Sequence, residues 1–409
     1  MRTRPRRFAR RLLVRSATAL AIVAGPALGL PAAASGATAF TAGDVAVYRV
    51  GAGSAGLTSA GTAVFLDEYS PTGTLVQSVP LPTTASGSDK PFVDSGTATS
   101  DGQLTLSANG QYLVTEAYDA SVGTTGVASA TSSTVPRTVA LVDQNATIDT
   151  TTALSDAESG NNVRSAVTVD GTTIWVAGGV DIRAAADGAS TSNLLAAQNT
   201  RDLQIADGQL YFSSSSGSVK GVGTVGTGLP ASGSQTLTLL PGSPDAGNAP
   251  VGFALVTLGA GPAPDTLYVG DTSSILKYGL SSGSWVAKGS ISLPGIGSDT
   301  LEGLAVSVSG GTATLFATAG GGSSGGGGVL WKATDATGAG GTASGSATSV
   351  ATASANESFR GVAFVPSGPP AGAPESPMAV LLPAAGVGAL AVGWLTVARR
   401  RRAAPTRAA

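Results

Sequence analysis

Residues Leu301–Thr318 read LEGLAVSVSGGTATLFAT. An apolar run, Leu301–Ser307, meets a Gly310-Gly311 turn, and the run beyond it carries Leu315-Phe316-Ala317. β-favouring residues bounded by glycine predict strand, tight turn, strand. The pattern returns along the chain. Val163–Val169 passes through Asp170-Gly171 into Ile174-Trp175-Val176, and Asp202–Ile205 passes through Asp207-Gly208 into Leu210-Tyr211-Phe212. Val251–Leu258 leads through a longer Gly/Pro loop into Leu267-Tyr268-Val269, and Leu104–Ser107 through Asn109-Gly110 into Tyr112-Leu113-Val114. Asn-Gly and Asp-Gly suit tight hairpins because both residues tolerate positive φ. One pair every roughly 35 to 60 residues is the period of a repeat built from small sheets.

A second hairpin type completes the repeat. LDEYSPTGTLVQSVPLP (Leu66–Pro82) matches LKYGLSSGSWVAKGSISLP (Leu276–Pro294): strand, four-residue turn, strand, Leu-Pro. Together the two hairpins predict four-stranded blades: Gln103–Leu154, Val163–Leu195, Arg201–Leu240, Val251–Leu293 and Leu301–Ala351. Gly320–Gly328 interrupts the last of these and reads as a flexible Gly/Ser loop. One strand is left over at the end, Phe359–Val365. Three lack an inner partner at the start: Asp44–Val50, Val64–Tyr69 and Leu75–Leu81. Joining them closes a ring and hides the free sheet edges. The predicted fold is therefore an all-β propeller of six four-stranded blades, closed by the N- and C-terminal strands, with five and seven blades as neighbouring counts. A β-sandwich array or a β-helix is the alternative, although a sandwich needs no closing strand and a β-helix repeats at shorter periods.

Both ends read as addresses. Seven arginines between Arg2 and Arg15, an apolar Ala17–Leu30 and Ala32-Ala33-Ala34 make the three parts of a secretory signal peptide, residues 1–37. Arg6-Arg7 and Arg10-Arg11 raise the twin-arginine export route. The ectodomain is 38–366, followed by a Pro/Gly-rich linker, 367–377. Met378–Ala398 carries no charge and is long enough to span a bilayer as a helix. The basic tail 399–409, opening with Arg399–Arg402, places the C-terminus in the cytoplasm. The expected location is the extracellular face of the cell membrane.

Net charge divides the same way. Twelve of the 23 Lys and Arg lie in the two terminal segments, while all 25 Asp and Glu lie between them, leaving about −14 on the exported part. Such a surface repels phosphate backbones, so nucleic acid is excluded as a partner. The chain has no cysteine and no histidine. Disulfides, Ser-His-Asp and Cys-His nucleophile systems are therefore excluded, as are the usual transition-metal ligand sets.

Aligning the inner strands brings Gln103, Arg164, Arg201, Gly252, Glu302 and Arg360 to one register. Inner strands line a propeller's channel, so Arg164, Arg201, Glu302 and Arg360 are the candidate ligand-binding ring at the channel mouth. Guanidinium groups there suit a carboxylate, sulfate or sugar acid. The competing reading is that these charges pair between blades, with neighbours such as Glu158, Asp202 and Glu357. No catalytic residue and no metal ligand is assigned. Calcium stays open as a cofactor because it takes oxygen ligands only, although no dense Asp-x-Asp-x-Asp loop occurs.

The repeat resembles bacterial secreted β-propellers, and LEGLAVS at Leu301–Ser307 is similar to inner-strand motifs of the phytase-like and esterase-like propeller group. The tail resembles bacterial C-terminal sorting signals of the Pro-Glu-Pro family, with Pro374-Glu375-Ser376-Pro377 at the motif position and Ser376 where that family carries Pro. The expected function is a membrane-anchored cell-surface scaffold that binds or adheres to an extracellular glycan, protein or small anionic ligand. The alternative implied by the resemblance is a calcium-dependent secreted hydrolase. A ligand-free surface-layer component is a third reading.

Overall fold

The computed structural model describes Met1 and residues 36–217, 219–242, 251–297 and 300–368. The predicted 378–398 span, its tail and most of the predicted signal segment lie outside the described residues. Three strands open the fold: β1 (Val45–Val50), β2 (Gly61–Tyr69) and β3 (Leu75–Pro80). A short β4 (Val93–Ser95) follows. Next come β5 (Thr105–Leu106), β6 (Tyr112–Tyr118) and β7 (Arg137–Asp143), with β8 (Ile148–Asp149) and β9 (Ala153–Leu154) both paired to β7.

Three regular meanders follow. The first is β10 (Val163–Thr168), β11 (Thr173–Gly178), β12 (Ile182–Ala186) and β13 (Asn193–Ala196). The second is β14 (Asp202–Ala206), β15 (Gln209–Ser214), β16 (Gly221–Val225) and β17 (Leu237–Leu239). A third comprises β18 (Phe253–Val256), β19 (Thr266–Gly270), β20 (Ser274–Ser281) and β21 (Ser284–Ser292). The chain then makes β22 (Thr300–Ser309), β23 (Thr312–Gly320), β24 (Gly326–Asp335), β25 (Thr348–Thr352) and finally β26 (Glu357–Phe364).

β26 lies antiparallel to β1, with Val45 opposite Phe364, Ala46 opposite Ala363 and Val47 opposite Val362. The last strand thus completes the sheet of the first three. The leading strands of successive sheets pack in a circuit: β26 on β5, β5 on β10, β10 on β14, β14 on β18, β18 on β22, and β22 back on β26. The architecture is all-β and propeller-like. A strand buried on both faces has no reason to alternate. β1 (VAVYRV) accordingly reads as a near-continuous apolar run; it and β10 (VRSAVT), which buries Arg164, Ser165 and Thr168 as well, are buried throughout, whereas β3 exposes Leu75 and Val76 at the rim. The cores lie between sheets. Val167 and Trp175 meet Leu203 and Phe212, for example, each burial worth about 1.5–3 kcal/mol.

Two features depart from the sequence reading. The Gly/Ser stretch is a loop only over 321–325: Gly320 closes β23, and Gly326–Gly328 open β24. These glycines let β24 run against β26, where Gly326 pairs with Glu357 and Gly327 with Ser358. A Cβ on Gly328 would sit 2.8 Å from Phe359 Cβ, so side chains there would push the strands apart. The other departure is β4, which bridges β2 and β6, with Gly61 opposite Ser95 and Val93 opposite Tyr118. Through β4 and the β24–β26 contact, the remaining strands, β1–β9 and β22–β26, join into one fourteen-stranded sheet, while the three meanders stay separate.

Both described ends of the fold meet at one face. Phe40 N donates to Gln144 O (2.8 Å), in the turn after β7, and Ser367 N donates to Gly110 O (3.1 Å), in the turn after β5. β5 and β7 both run antiparallel to β6, so both turns stand on the face where the leading strands end. The opposite face carries the strand beginnings and holds the candidate site.

Candidate ligand-binding site at the channel mouth

The leading strands share a local irregularity. Pairing shifts between Val163 and Ser165 in β10 and between Leu301 and Gly303 in β22, leaving Arg164 and Glu302 as the extra residues. In β26 the shift falls between Phe359 and Val362, across Arg360. Arg201 N bonds to Ser213 O (2.8 Å) although Asp202 already faces Ser213. A bulge leaves one residue unpaired and re-aims its side chain, so these bulges turn the charged residues toward one mouth of the ring. Small neighbours bring the strands close there. Gly361 N donates to Gly102 O and Gln103 N to Arg164 O, both at 2.9 Å. Gln103 Nε2 reaches Glu302 O at 2.6 Å, linking β22 to the start of β5 past the intervening β26.

The four predicted residues gather at this mouth, but their surroundings differ. Arg360 is fully buried; its Nη1 donates to Ser358 Oγ and Phe359 O, its Nη2 donates to Gly96 O (3.3 Å), and its Nε stands 3.8 Å from Glu302 Oε2. Glu302 is buried with it. Arg164 is sealed beneath the next meander's entry, donating through Nη1 to Asn199 Oδ1 (2.5 Å) and Thr200 O (2.6 Å). Arg201 alone of the four is open. Its Nε donates to Ser215 Oγ (2.9 Å), and its two Nη groups make no hydrogen bond to any described residue.

Arg201 lines a cavity of about 310 Å³ with Thr99, Ser100, Ser215, Val251, Asp271, Thr272 and Leu301. Gly252 holds the register position between Arg201 and Glu302, and the cavity opens beside it. Burial draws the Arg201 guanidinium below its ordinary value, opposed by Glu302. Burial, then repulsion from Arg201, brings Arg164 down to about 10. Both stay charged at neutral pH.

Sequence reasoning missed the carboxylates behind this collar. Asp94 and Asp101 are fully buried. The Tyr48 hydroxyl donates to Asp94 Oδ2 (2.8 Å); the Tyr118 hydroxyl (2.9 Å) and Asn162 Nδ2 (2.7 Å) donate to Asp101. Burial pushes Asp101 up to about 6 against the lowering effect of those donors. Burial and the neighbouring Asp101 charge raise Asp94 well above the usual range. Both residues sit in connecting segments without periodicity, so only the three-dimensional convergence reveals them.

A second missed pair, Glu116 and Glu158, is buried with no hydrogen bond to either carboxyl among the described residues; burial raises both, opposed by the Arg137 charge. Arg137 lies nearby with its Nη groups spent on backbone carbonyls, Val135 O and Glu158 O among them. Among the described residues, no group of three or more carboxylates is placed to hold a metal ion.

No protein-family model and no curated protein matches the chain. Solved structures with a similar chain trace include a 6-phosphogluconolactonase candidate from Bacteroides uniformis. It is 13% identical, covering 75% of this chain and 82% of that one, with a TM-score of 0.42. The soluble aldose sugar dehydrogenase of Escherichia coli is 11% identical, covering 68% of this chain and 93% of that one, at 0.41. The WD40 domain of Toxoplasma gondii coronin is 12% identical, covering 62% and 63%, at 0.35. At these scores the fold rests on the strand pairing itself.

Proposed function

We propose that the chain is an exported six-bladed propeller, tethered to the cell membrane by its C-terminal segment, that acts as a binding scaffold for an extracellular ligand bearing an anionic group. The observation that carries this reading is the open Arg201 guanidinium in a cavity large enough for a small ligand. Its placement supports display. The described chain ends at the Gly110 and Gln144 turns, on the face away from the cavity. A tether leaving there points the Arg201 mouth outward. The calcium-dependent hydrolase reading lacks a convergent carboxylate set among the described residues.

Binding to an array of uronate-containing and sulfated glycans tests the scaffold. The Arg201→Ala variant is expected to lose at least about tenfold in affinity with its melting temperature unchanged, because a half-buried side chain with one hydrogen bond contributes little to folding. Arg360→Ala is expected to lower the melting temperature, since it removes a buried positive charge 3.8 Å from the buried Glu302 carboxylate. Glycan binding by Arg201→Ala at wild-type strength overturns the assignment.

A further inference from the structure

The inventory of the cavity narrows the ligand, and this step rests on the binding role just proposed. Donors dominate. Both Arg201 Nη groups are unengaged by described residues; the Ser215 hydroxyl accepts from Arg201 Nε and so keeps its own proton to give; the Thr99 hydroxyl makes no hydrogen bond to any described residue. The Asp271 carboxylate, which accepts from Thr272 Oγ1 at 3.2 Å, supplies acceptor capacity across the cavity. Val251 and Leu301 add an apolar wall. A planar guanidinium with two free nitrogens matches a carboxylate through two parallel bonds. Hydroxyl donors and one carboxylate acceptor match a ring bearing several hydroxyls, whose C–H face packs on the apolar wall.

Charge decides between anions. Arg201, Arg164 and Arg360 bring three positive charges to this mouth. Against them stand Glu302, Asp101, Asp271 and, when ionised, Asp94. These charges balance, and Arg201 is the one cation among the described residues of the cavity wall, so once it has paired with a ligand's first negative charge a second one, brought beside Asp271, is unmatched. A monoanion needs only the single open guanidinium.

We infer that this cavity takes a monocarboxylate sugar, a uronic or aldonic acid unit, free or at the end of a glycan, in preference to a phosphate or a neutral sugar. Titration calorimetry on the full chain with glucuronate, its neutral methyl ester, glucose and inorganic phosphate tests the class. Glucuronate is expected to bind at least about tenfold more tightly than the methyl ester, glucose or phosphate. Arg201→Ala should abolish that margin, and Arg201→Lys, which keeps the charge but loses the fork, should restore part of it. Phosphate binding as tightly as glucuronate, with both lost in Arg201→Ala, overturns the sugar-acid class while leaving the anion site intact. No anion binding at all, or binding indifferent to Arg201, overturns the binding role as well.

Discussion

Gly361 stands where β26 and the start of β5 approach most closely, and replacing it with alanine tests the closed circuit of leading strands. A Cβ at this position would fall inside contact distance of Leu104 N, 2.6 Å from Gly102 O and 2.8 Å from Gln103 C. Ordinary contact needs roughly 3.5 Å. Every atom it meets is backbone, so no side chain can swing aside, and one strand has to move by roughly 1 Å in a densely packed interior. That movement strains the Gly361 N to Gly102 O hydrogen bond of 2.9 Å. Overpacking at about 1–3 kcal/mol and a weakened buried hydrogen bond at about 1 kcal/mol give a cost of about 2–4 kcal/mol. In a domain of this size that is a fall of roughly 3–6 °C in melting temperature. Gly340→Ala is the control, because a Cβ there meets nothing within 4 Å; it should change stability by less than about 0.5 kcal/mol. Thermal and urea melts of the two variants decide the matter. If Gly361→Ala melts with Gly340→Ala, the leading strands do not meet as described and the circuit is wrong.

Two further perturbations probe the buried charges. Asp202, pushed up to about 6 from 3.8 by burial against the bonds from Ser165, Gln204 and the backbone, binds its proton more tightly folded than unfolded. Its stabilising contribution is complete below 3.8 and lost as pH rises through 6, a span of about 3 kcal/mol. Asp202→Asn should therefore gain on wild type by up to about that amount between pH 3.5 and 7.5 in urea melts; a difference independent of pH refutes the shift. Lys277 Nζ is fully buried, 2.7 Å from Asp335 Oδ2, and also donates to Thr337 Oγ1 and Gly338 O. Lys277→Met should cost about 3–5 kcal/mol by leaving the carboxylate without its counter-charge, and adding Asp335→Asn should recover at least about 1 kcal/mol; a double variant no better than the single one contradicts this.

The repeat was legible because leading strands such as β10 and β26 are buried over most of their length and the hairpin turns need residues that tolerate positive φ. Asp207 and Gly208, at φ 46° and 69°, are one such turn. The pairing of the leftover Phe359–Val365 segment with the first strands follows from counting strands, since a missing inner strand and an orphan one satisfy each other. What sequence could not supply was the contacts of short segments that lie outside the repeat. β4 is three residues in a Gly/Pro-rich connection, and only its neighbours β2 and β6 make it a strand. Asp94 and Asp101 belong to the same stretch and acquire meaning from Tyr48, Tyr118 and Arg360. The Gly/Ser run misled because composition reports flexibility, whereas Gly326–Gly328 are needed for what side chains would obstruct.

Register alone placed Arg164, Arg201, Glu302 and Arg360 at one mouth, yet only one of them is available to a ligand. The difference follows from what stands beside each in the circuit. Arg360 meets Glu302 on one side and the Gly96 carbonyl on the other, so its charge is consumed. Arg164 runs under the Asn199-Thr200 segment, whose oxygens cap it. Beyond Arg201 the next position is Gly252, which offers no side chain to pair with the guanidinium or to fill the space. The vacancy in the pattern, and not the charge itself, therefore distinguishes the proposed site. It follows that ligand access should be lost by enlarging the residue at that vacancy even with Arg201 intact. Gly252 is nevertheless a poor place to do so: a Cβ there meets Leu304 N at 3.1 Å and Glu302 O at 3.3 Å, so a substitution would disturb the collar before it blocked the cavity. The neighbouring Val251, on the cavity wall, is the position where added bulk would act on the ligand first.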